Sequence, residues 1–344
     1  MINAVNQMKS ILVTGGAGYI GSVLTTKLVN NGYNVRILDS LIYGNKGISE
    51  HIQSNSIELI NEDMRNDEVL RKAVKDVDAI IHLAAIVGEP LCNKIPEAAR
   101  QINQYATKKL ALFAQKSDVK RFVLGSTCSN YGTSSTIVDE NTPLQALSLY
   151  SETKVNSEKF ILNLKTENFE PCILRFATAF GLSPRMRFDL LLQEFIRDAI
   201  INKKITIFGP QYWRPLVHVD DISNACIKSL EESSDLISGQ VYNVGDNSQN
   251  YTKIKLAEII KQQVENSEIE VQELKKDPRN YKVSFDKIKK NLDFQITKTV
   301  TDGITEMINE IKRGNLDPRE TEFSNMSKLT ENVKPILSYF DTNL

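Results

Sequence analysis

The chain has 344 residues, of which 41% are hydrophobic and 25% charged, and carries a formal net charge of −1 at neutral pH. That length exceeds one typical domain and predicts a large domain with a smaller companion. Interspersed charges of nearly zero sum supply neither a basic stripe for a nucleic-acid backbone nor a polybasic patch for a membrane surface, so neither partner is expected. Cys92, Cys128, Cys172 and Cys226 are scattered without a CxxC pair, which predicts reduced thiols rather than a disulfide framework or a zinc site. No apolar run approaches the ~20 residues that span a bilayer. The opening MINAVNQMKS lacks the apolar core of a signal peptide, so the expected compartment is the cytoplasm.

Ile11, Leu12 and Val13 form an unbroken apolar run that ends in glycines, and from Ile20 apolar residues recur at Val23, Leu24 and Leu28 with helical spacing. The pattern reads as strand, tight turn and helix. Gly15, Gly18 and Gly21, with Tyr19 and Ile20 between the last two, then lie where a backbone can approach a pyrophosphate and a helix N-terminus offers unpaired N–H groups. A second apolar strand, Val35 to Leu38, ends in Asp39, the position of the carboxylate that binds ribose hydroxyls in a dinucleotide fold and would repel a 2′-phosphate. The glycine spacing of TGGAGYIG resembles that of the short-chain dehydrogenases, and later motifs narrow the resemblance to the extended branch acting on nucleotide sugars.

The segment Ser40 to Asn55 lacks periodicity and is expected to form a loop or short helix over the adenosine end. Its DSLIYGN resembles the NAD-using sugar epimerases. Ile57 to Ile60 is a third strand, and Asp63 and Met64 follow it; by resemblance they contact adenine, and this reading is favoured over a solvated turn acid because strand C-terminal ends are where open α/β sheets bind ligands. Asp67 to Val77 has helical periodicity, and AIIHLAA at 79–85 is a buried fourth strand. His82 within it reads as a core histidine with a hydrogen-bond partner. Leu83, Ala84 and Ala85 match positions where the family's backbone approaches the cofactor, and the VGEPLC loop after them should border the substrate.

Pro96 to Lys116 is predicted as one long helix, with Asn103 matching an Asn that helps position the family's active site. The strand Arg121 to Leu124 leads into GSTCSNYG, which resembles the active-site loop of sugar-nucleotide epimerases. Thr127 occupies the place of their catalytic Ser or Thr, and Ser126 is a second candidate donor. Tyr150 and Lys154 lie four apart in SLYSETKVNSEKFI, hence on one face of a helix. A phenol of pKa about 10 is a poor base at neutral pH, so a neighbouring ammonium must favour the phenolate. A bare YxxxK also arises from surface packing; behind a dinucleotide fingerprint it reads as catalytic.

Pro171 to Phe176 is expected to continue the parallel sheet, with Phe176 matching an aromatic beside the nicotinamide. After Gly181 the character changes. Arg185 and Arg187 precede a helix with Leu190, Leu191, Phe195 and Ile196 on its apolar face. Arg214, four residues before His218, matches the position from which the epimerases hold a sugar nucleotide's diphosphate, and Arg279 in DPRNYKVSFDKIKK is the expected second ligand. Guanidinium suits phosphate because its N–H groups form a fork. Val241 to Val244 returns to the sheet, and a last helix runs from about Thr301 to Arg313.

The resemblance covers residues 9 to 313 and implies an NAD-dependent epimerase/dehydratase of the extended short-chain dehydrogenase/reductase type, similar to UDP-glucose 4-epimerases and bacterial sugar-nucleotide 4-dehydrogenases of surface-polysaccharide pathways. The implied fold is α/β, with a Rossmann-type doubly wound parallel sheet over residues 9–181 to which 216–245 return. A smaller α/β substrate-binding domain takes 182–215 and 246–314, and 315–344 forms a polar, poorly determined tail. In the implied chemistry Tyr150 removes a proton from a sugar hydroxyl while its carbon gives hydride to the nicotinamide. Thr127 holds that hydroxyl, and Lys154 binds the nicotinamide ribose and keeps Tyr150 ionised.

Epimerisation at sugar carbon 4 is the leading expectation. A 4,6-dehydratase carries Asp-Glu directly after the catalytic Thr, where this chain has Cys128-Ser129, and the missing carboxylate at Ser129 likewise disfavours a glucuronate decarboxylase. Cys128 resembles, one position displaced, a catalytic Cys of nucleotide-fucose synthases, whose NADP Asp39 disfavours. Net oxidation or reduction at carbon 4 is the alternative enzyme, and a non-catalytic NAD-sensing protein the alternative class. The resemblance also implies a homodimer through the helices at 96–116 and 150–168, with Leu112, Phe113, Phe160 and Ile161 as candidate contacts.

Overall fold

The computed structural model describes residues 9–273, 279–331 and 336–337. The strands β1 (Ser10–Thr14), β2 (Asn34–Leu38), β3 (Ile57–Ile60), β4 (Ala79–His82), β5 (Arg121–Thr127), β6 (Glu170–Phe176) and β7 (Gln240–Val244) form one sheet. Its spatial order is β7-β6-β5-β4-β1-β2-β3, and every neighbouring pair is parallel. A parallel sheet needs cover on both faces, which is why its strands read as continuous apolar runs. Alternation along β1 shows the consequence: Ile11 and Val13 enter the core on one face and Leu12 the core on the other. The direction of winding reverses between β1 and β4, and ligands of such sheets bind in the crevice outside the carboxyl ends of the strands at that switch point.

A second lobe grows from the carboxyl end of β6. It contains a three-stranded sheet of Thr178–Phe180, Trp213–His218 and Asn250–Thr252 and a parallel pair of Lys204–Phe208 with Glu268–Gln272. A separate apolar cluster including Leu192, Ile196, Leu256 and Ile304 packs it. Thr133–Val138 runs parallel to Asn280–Val283, so the segment after β5 is tied into the same lobe.

The expected helix over 96–116 is present but not uniform. Pro96–Arg100 and Thr107–Lys116 are α-helical, and Gln101–Ala106 between them widens into a π-helix. Such widenings cluster at functional sites, and this one carries Asn103. The helix Leu149–Leu162 begins at a Ser148/Ser151 capping box, placing Tyr150 in its first turn. It stops short of Asn168, because the chain turns with the Thr166 N–H on the Phe169 carbonyl and Phe169 enters the core. Ile161 is fully buried within its own subunit. The rings of Phe113 and Phe160 lie under Arg71 and Lys108, at 4.3 and 5.2 Å.

The first part of the C-terminal segment departs from expectation; residues 332–335 and 338–344 of the expected tail lie outside the described residues. Far from a loose tail, residues 315–331 return to the protein, with a 3-10 turn at Thr321–Phe323 and a short helix at Asn325–Glu331, and Phe323, Leu329 and Ile336 are buried. Phe323 joins the core of the second lobe, and Leu329 and Ile336 join the core on one face of the large sheet. No helix among the described residues is long and apolar enough to cross a membrane.

Candidate active site

One cavity of about 650 Å³ opens at the switch point between the lobes. Every site residue singled out in the sequence lines it except Asn103. Asn103 instead donates to and accepts from the backbone of Ile86, at 2.9 and 2.8 Å, so it fixes the loop after β4 rather than meeting a cofactor.

The glycine turn is built by steric demand. Gly15 has φ +74°, and a Cβ there would lie 2.7 Å from the Ala84 nitrogen; at Gly21 a Cβ would collide with the Gly15 carbonyl. The neighbours of Gly15 are backbone atoms of Leu83 and Ala84, so it is the absent side chain of Gly15 that lets the two segments meet. Tyr19 lines the cavity but spends its hydroxyl on the Gly181 carbonyl at 2.7 Å, fastening one lobe to the other. Asp39 accepts from the backbone N–H groups of Ala17 at 3.0 Å and Leu41 at 2.9 Å. Burial raises its carboxyl pKa, while those donors oppose the shift. Asp63 is held by Arg65, whose Nη2 lies at 2.6 Å, and presents Met64 to the cavity beside it. The residues present therefore fit a dinucleotide: a turn stripped of side chains, a carboxylate on the cavity wall beside it and an apolar shelf.

Thr127 ends β5 and accepts the Ser129 N–H on its hydroxyl at 3.0 Å. Ser126, expected as a second donor, gives its hydroxyl to the Glu158 carboxylate and is engaged in that buried network. Lys154 donates from Nζ to the Gly125 carbonyl at 2.8 Å, and burial pushes its ammonium down to about 8 against the opposing pull of Glu158. Burial raises the Tyr150 phenol; the cations that pull it back are Arg187 and Arg279. Tyr150 and Lys154 line the same cavity, the ammonium being anchored on the Gly125 carbonyl of β5.

Cys128 turns into the core, donating from Sγ to the Arg175 carbonyl at 3.2 Å, and burial drives its pKa up. It does not reach the cavity, whereas Ser129 does. His82 is the core histidine expected, bonded to Thr14 at 2.5 Å and Thr107 at 2.7 Å, and burial holds its pKa down at about 3.

Four arginines converge on the cavity. Arg214 donates to the carbonyl of Arg279 at 2.5 Å, which brings the two expected diphosphate ligands side by side. Arg187 pairs with Asp189 at 2.8 Å. Arg185, expected among the substrate ligands, is placed against the glycine turn: a Cβ on Gly47 would sit 2.9 Å from both the Arg185 and Ser22 β-carbons and 3.1 Å from the Ala17 carbonyl.

Sequence reasoning missed Tyr43 and Asn325, which line the cavity, and Glu158 beneath it. Glu158 takes Arg175 at 2.7 Å and Asn130 at 2.8 Å as well as Ser126, bracing the Thr127 loop against the helix of Tyr150. Its signal was present, since 150, 154 and 158 share one helical face. Among the described residues no group of three or more His, Cys, Asp or Glu side chains is arranged to hold a metal.

Fold and cavity together define a dinucleotide-dependent enzyme, and residues 11–245 match the NAD dependent epimerase/dehydratase family, to which the chain belongs. A putative UDP-glucose 4-epimerase of Methanocaldococcus jannaschii is 29% identical, aligned over 89% of this chain and 99% of its own length. UDP-glucuronic acid decarboxylase 1 of Xenopus tropicalis is 28% identical, over 89% and 72%. The structure of UDP-glucuronic acid 4-epimerase from Bacillus cereus, in complex with UDP-glucuronic acid and NAD, superposes with TM-score 0.79 at 27% identity, covering 88% of this chain and 99% of that one.

Proposed function

We propose that the protein is a cytoplasmic nucleotide-sugar 4-epimerase acting on a UDP-linked sugar. The observation that carries the reading is the composition of the cavity around Tyr150. Thr127, Tyr150 and Lys154 line it together, while the position that would need a further acid, next to Thr127, is a cysteine facing the core and then a serine. Bound NAD supplies the hydride acceptor and donor for sugar carbon 4. Tyr150 takes the proton of the 4-hydroxyl and returns it, Thr127 orients that hydroxyl, and Lys154 holds the nicotinamide ribose. Arg214 and Arg279 bind the diphosphate of the sugar nucleotide, leaving the sugar free to present either face. The UDP-sugar enzymes among its relatives support the nucleotide class.

The charges around Tyr150 give a pH signature. Its phenol must be ionised to accept a proton, and Arg279 lowers its pKa. Removing that cation disfavours the phenolate, so in Arg279→Gln the acid limb of the kcat/KM profile, which reports the free enzyme, should move to higher pH. An unmoved limb would show that Arg279 does not act on Tyr150. The same reading includes a homodimer through the helices at 96–116 and 149–162, which light scattering at micromolar concentration would reveal; a monomer contradicts it.

A further inference from the structure

We propose that Tyr43, Arg185 and Asn325 form an outer wall over the diphosphate of the bound dinucleotide, with the C-terminal segment as the strap that holds this wall in place. The inference concerns the cofactor end and stands whichever sugar reaction follows.

The first support is a set of unsatisfied polar atoms. Tyr43 Oη, Arg185 Nη2 and Asn325 Oδ1 are buried without a hydrogen-bond partner among the described residues, and all three residues line the main cavity. Arg185 and Asn325 are each only 4% exposed. A buried donor or acceptor left without a partner carries its desolvation penalty uncompensated, the more so for a charged group, so three in one wall point to a ligand that satisfies them. The amide of Asn325 can present either its oxygen or its NH₂ group, because the two are assigned from the surrounding network.

The second support is charge. Arg185 stacks over the Tyr43 ring at 4.9 Å, and burial followed by repulsion from Arg187 pushes its pKa down to about 10. Arg187 has Asp189 as a direct ion-pair partner; Arg185 makes no ion pair of that kind among the described residues. A buried guanidinium in that condition seeks an anion.

The third is position. Ser183 donates to the Tyr19 carbonyl at 2.7 Å and meets Ser22 at 3.0 Å, and the Arg185 N–H donates to Ser183 at 3.2 Å. The Arg185 loop is thus clamped to the first turn of the helix that follows the glycines, where a dinucleotide's diphosphate lies.

The strap is fastened at both ends. Asn325 donates its N–H to Asp189 at 3.0 Å, and the Phe323 carbonyl accepts from the Phe188 N–H at 2.8 Å. On the other side Lys46 pairs with Glu322 at 2.7 Å, and Arg65, which holds Asp63, donates to the Ile336 carbonyl at 3.0 Å. The segment therefore links the substrate lobe to the loops around the adenosine end.

Calorimetric titration of nucleotide-free protein with NAD, ADP, adenosine and UDP tests the proposal. Arg185→Gln should weaken NAD and ADP at least tenfold and leave adenosine unchanged. Asn325→Ala, which removes only an amide, should weaken NAD several-fold, and Phe323→Ala, which loosens the strap outside the cavity, should speed NAD release. Unchanged NAD and ADP affinity in Arg185→Gln, or an equal loss for adenosine, overturns the wall. A loss confined to UDP reassigns Arg185 to the sugar nucleotide and overturns it too. NAD affinity and release unchanged in both Asn325→Ala and Phe323→Ala overturn the strap.

Discussion

Replacing Tyr150 by Phe is expected to lower kcat by roughly 10²–10⁴-fold, the range typical of losing a positioned acid–base group, while NAD affinity stays within a small factor of wild type. The substitution deletes one oxygen. The ring remains at the start of its capped helix, and the contacts proposed for the dinucleotide come from the glycine turn, Asp39, Lys154 and the wall over the diphosphate. Burial raises the Tyr150 phenol, so the group begins as an acid and acts as a base only where nearby cations offset that burial. Single-turnover measurement separates chemistry from binding. Near-normal turnover would remove Tyr150 from the mechanism, and a parallel collapse of NAD binding would make its role structural.

The second large effect is predicted for Glu158. Both members of its pair with Arg175 are almost completely buried, with side chains 2% and 6% exposed. Taking one partner away leaves the other charge in a medium that cannot solvate it, at a cost of about 3–5 kcal/mol. Glu158→Leu should therefore shift the denaturant midpoint markedly downward with little change in slope. It also frees Ser126 and Asn130, which brace the loop carrying Thr127. The double variant Glu158→Leu, Arg175→Met should recover part of the loss, since no unpaired charge remains. A single-variant loss below about 1 kcal/mol would mean that solvent reaches Arg175.

These two residues mark how far the sequence could be read. Tyr150, Lys154 and the glycines were legible because their chemistry needs fixed residue types at fixed spacing, and the sheet was legible because strands covered on both faces read as apolar runs. Glu158 sat on the same helical face as Tyr150 and Lys154 but resembles any helix carboxylate until its partners on β5 and β6 are known. The direction in which Lys154 points and the turning of Cys128 into the core are packing outcomes that neighbouring positions in a motif do not encode. Nor does local pattern reveal the C-terminal segment: Phe323, Leu329 and Ile336 are too sparse to make a periodic face, and they are buried by joining core clusters formed far away in sequence. The position of Arg185 against the glycine turn depends likewise on contacts between residues far apart in sequence.

The most direct test of the proposed epimerase is to incubate the enzyme with candidate UDP-sugars and follow sugar configuration by NMR together with absorbance at the NADH band. Epimerisation predicts conversion between two configurations at carbon 4 with no accumulation of NADH and no need for NAD beyond that bound. A ketosugar formed with one NADH per molecule of product would contradict it and identify a net dehydrogenase.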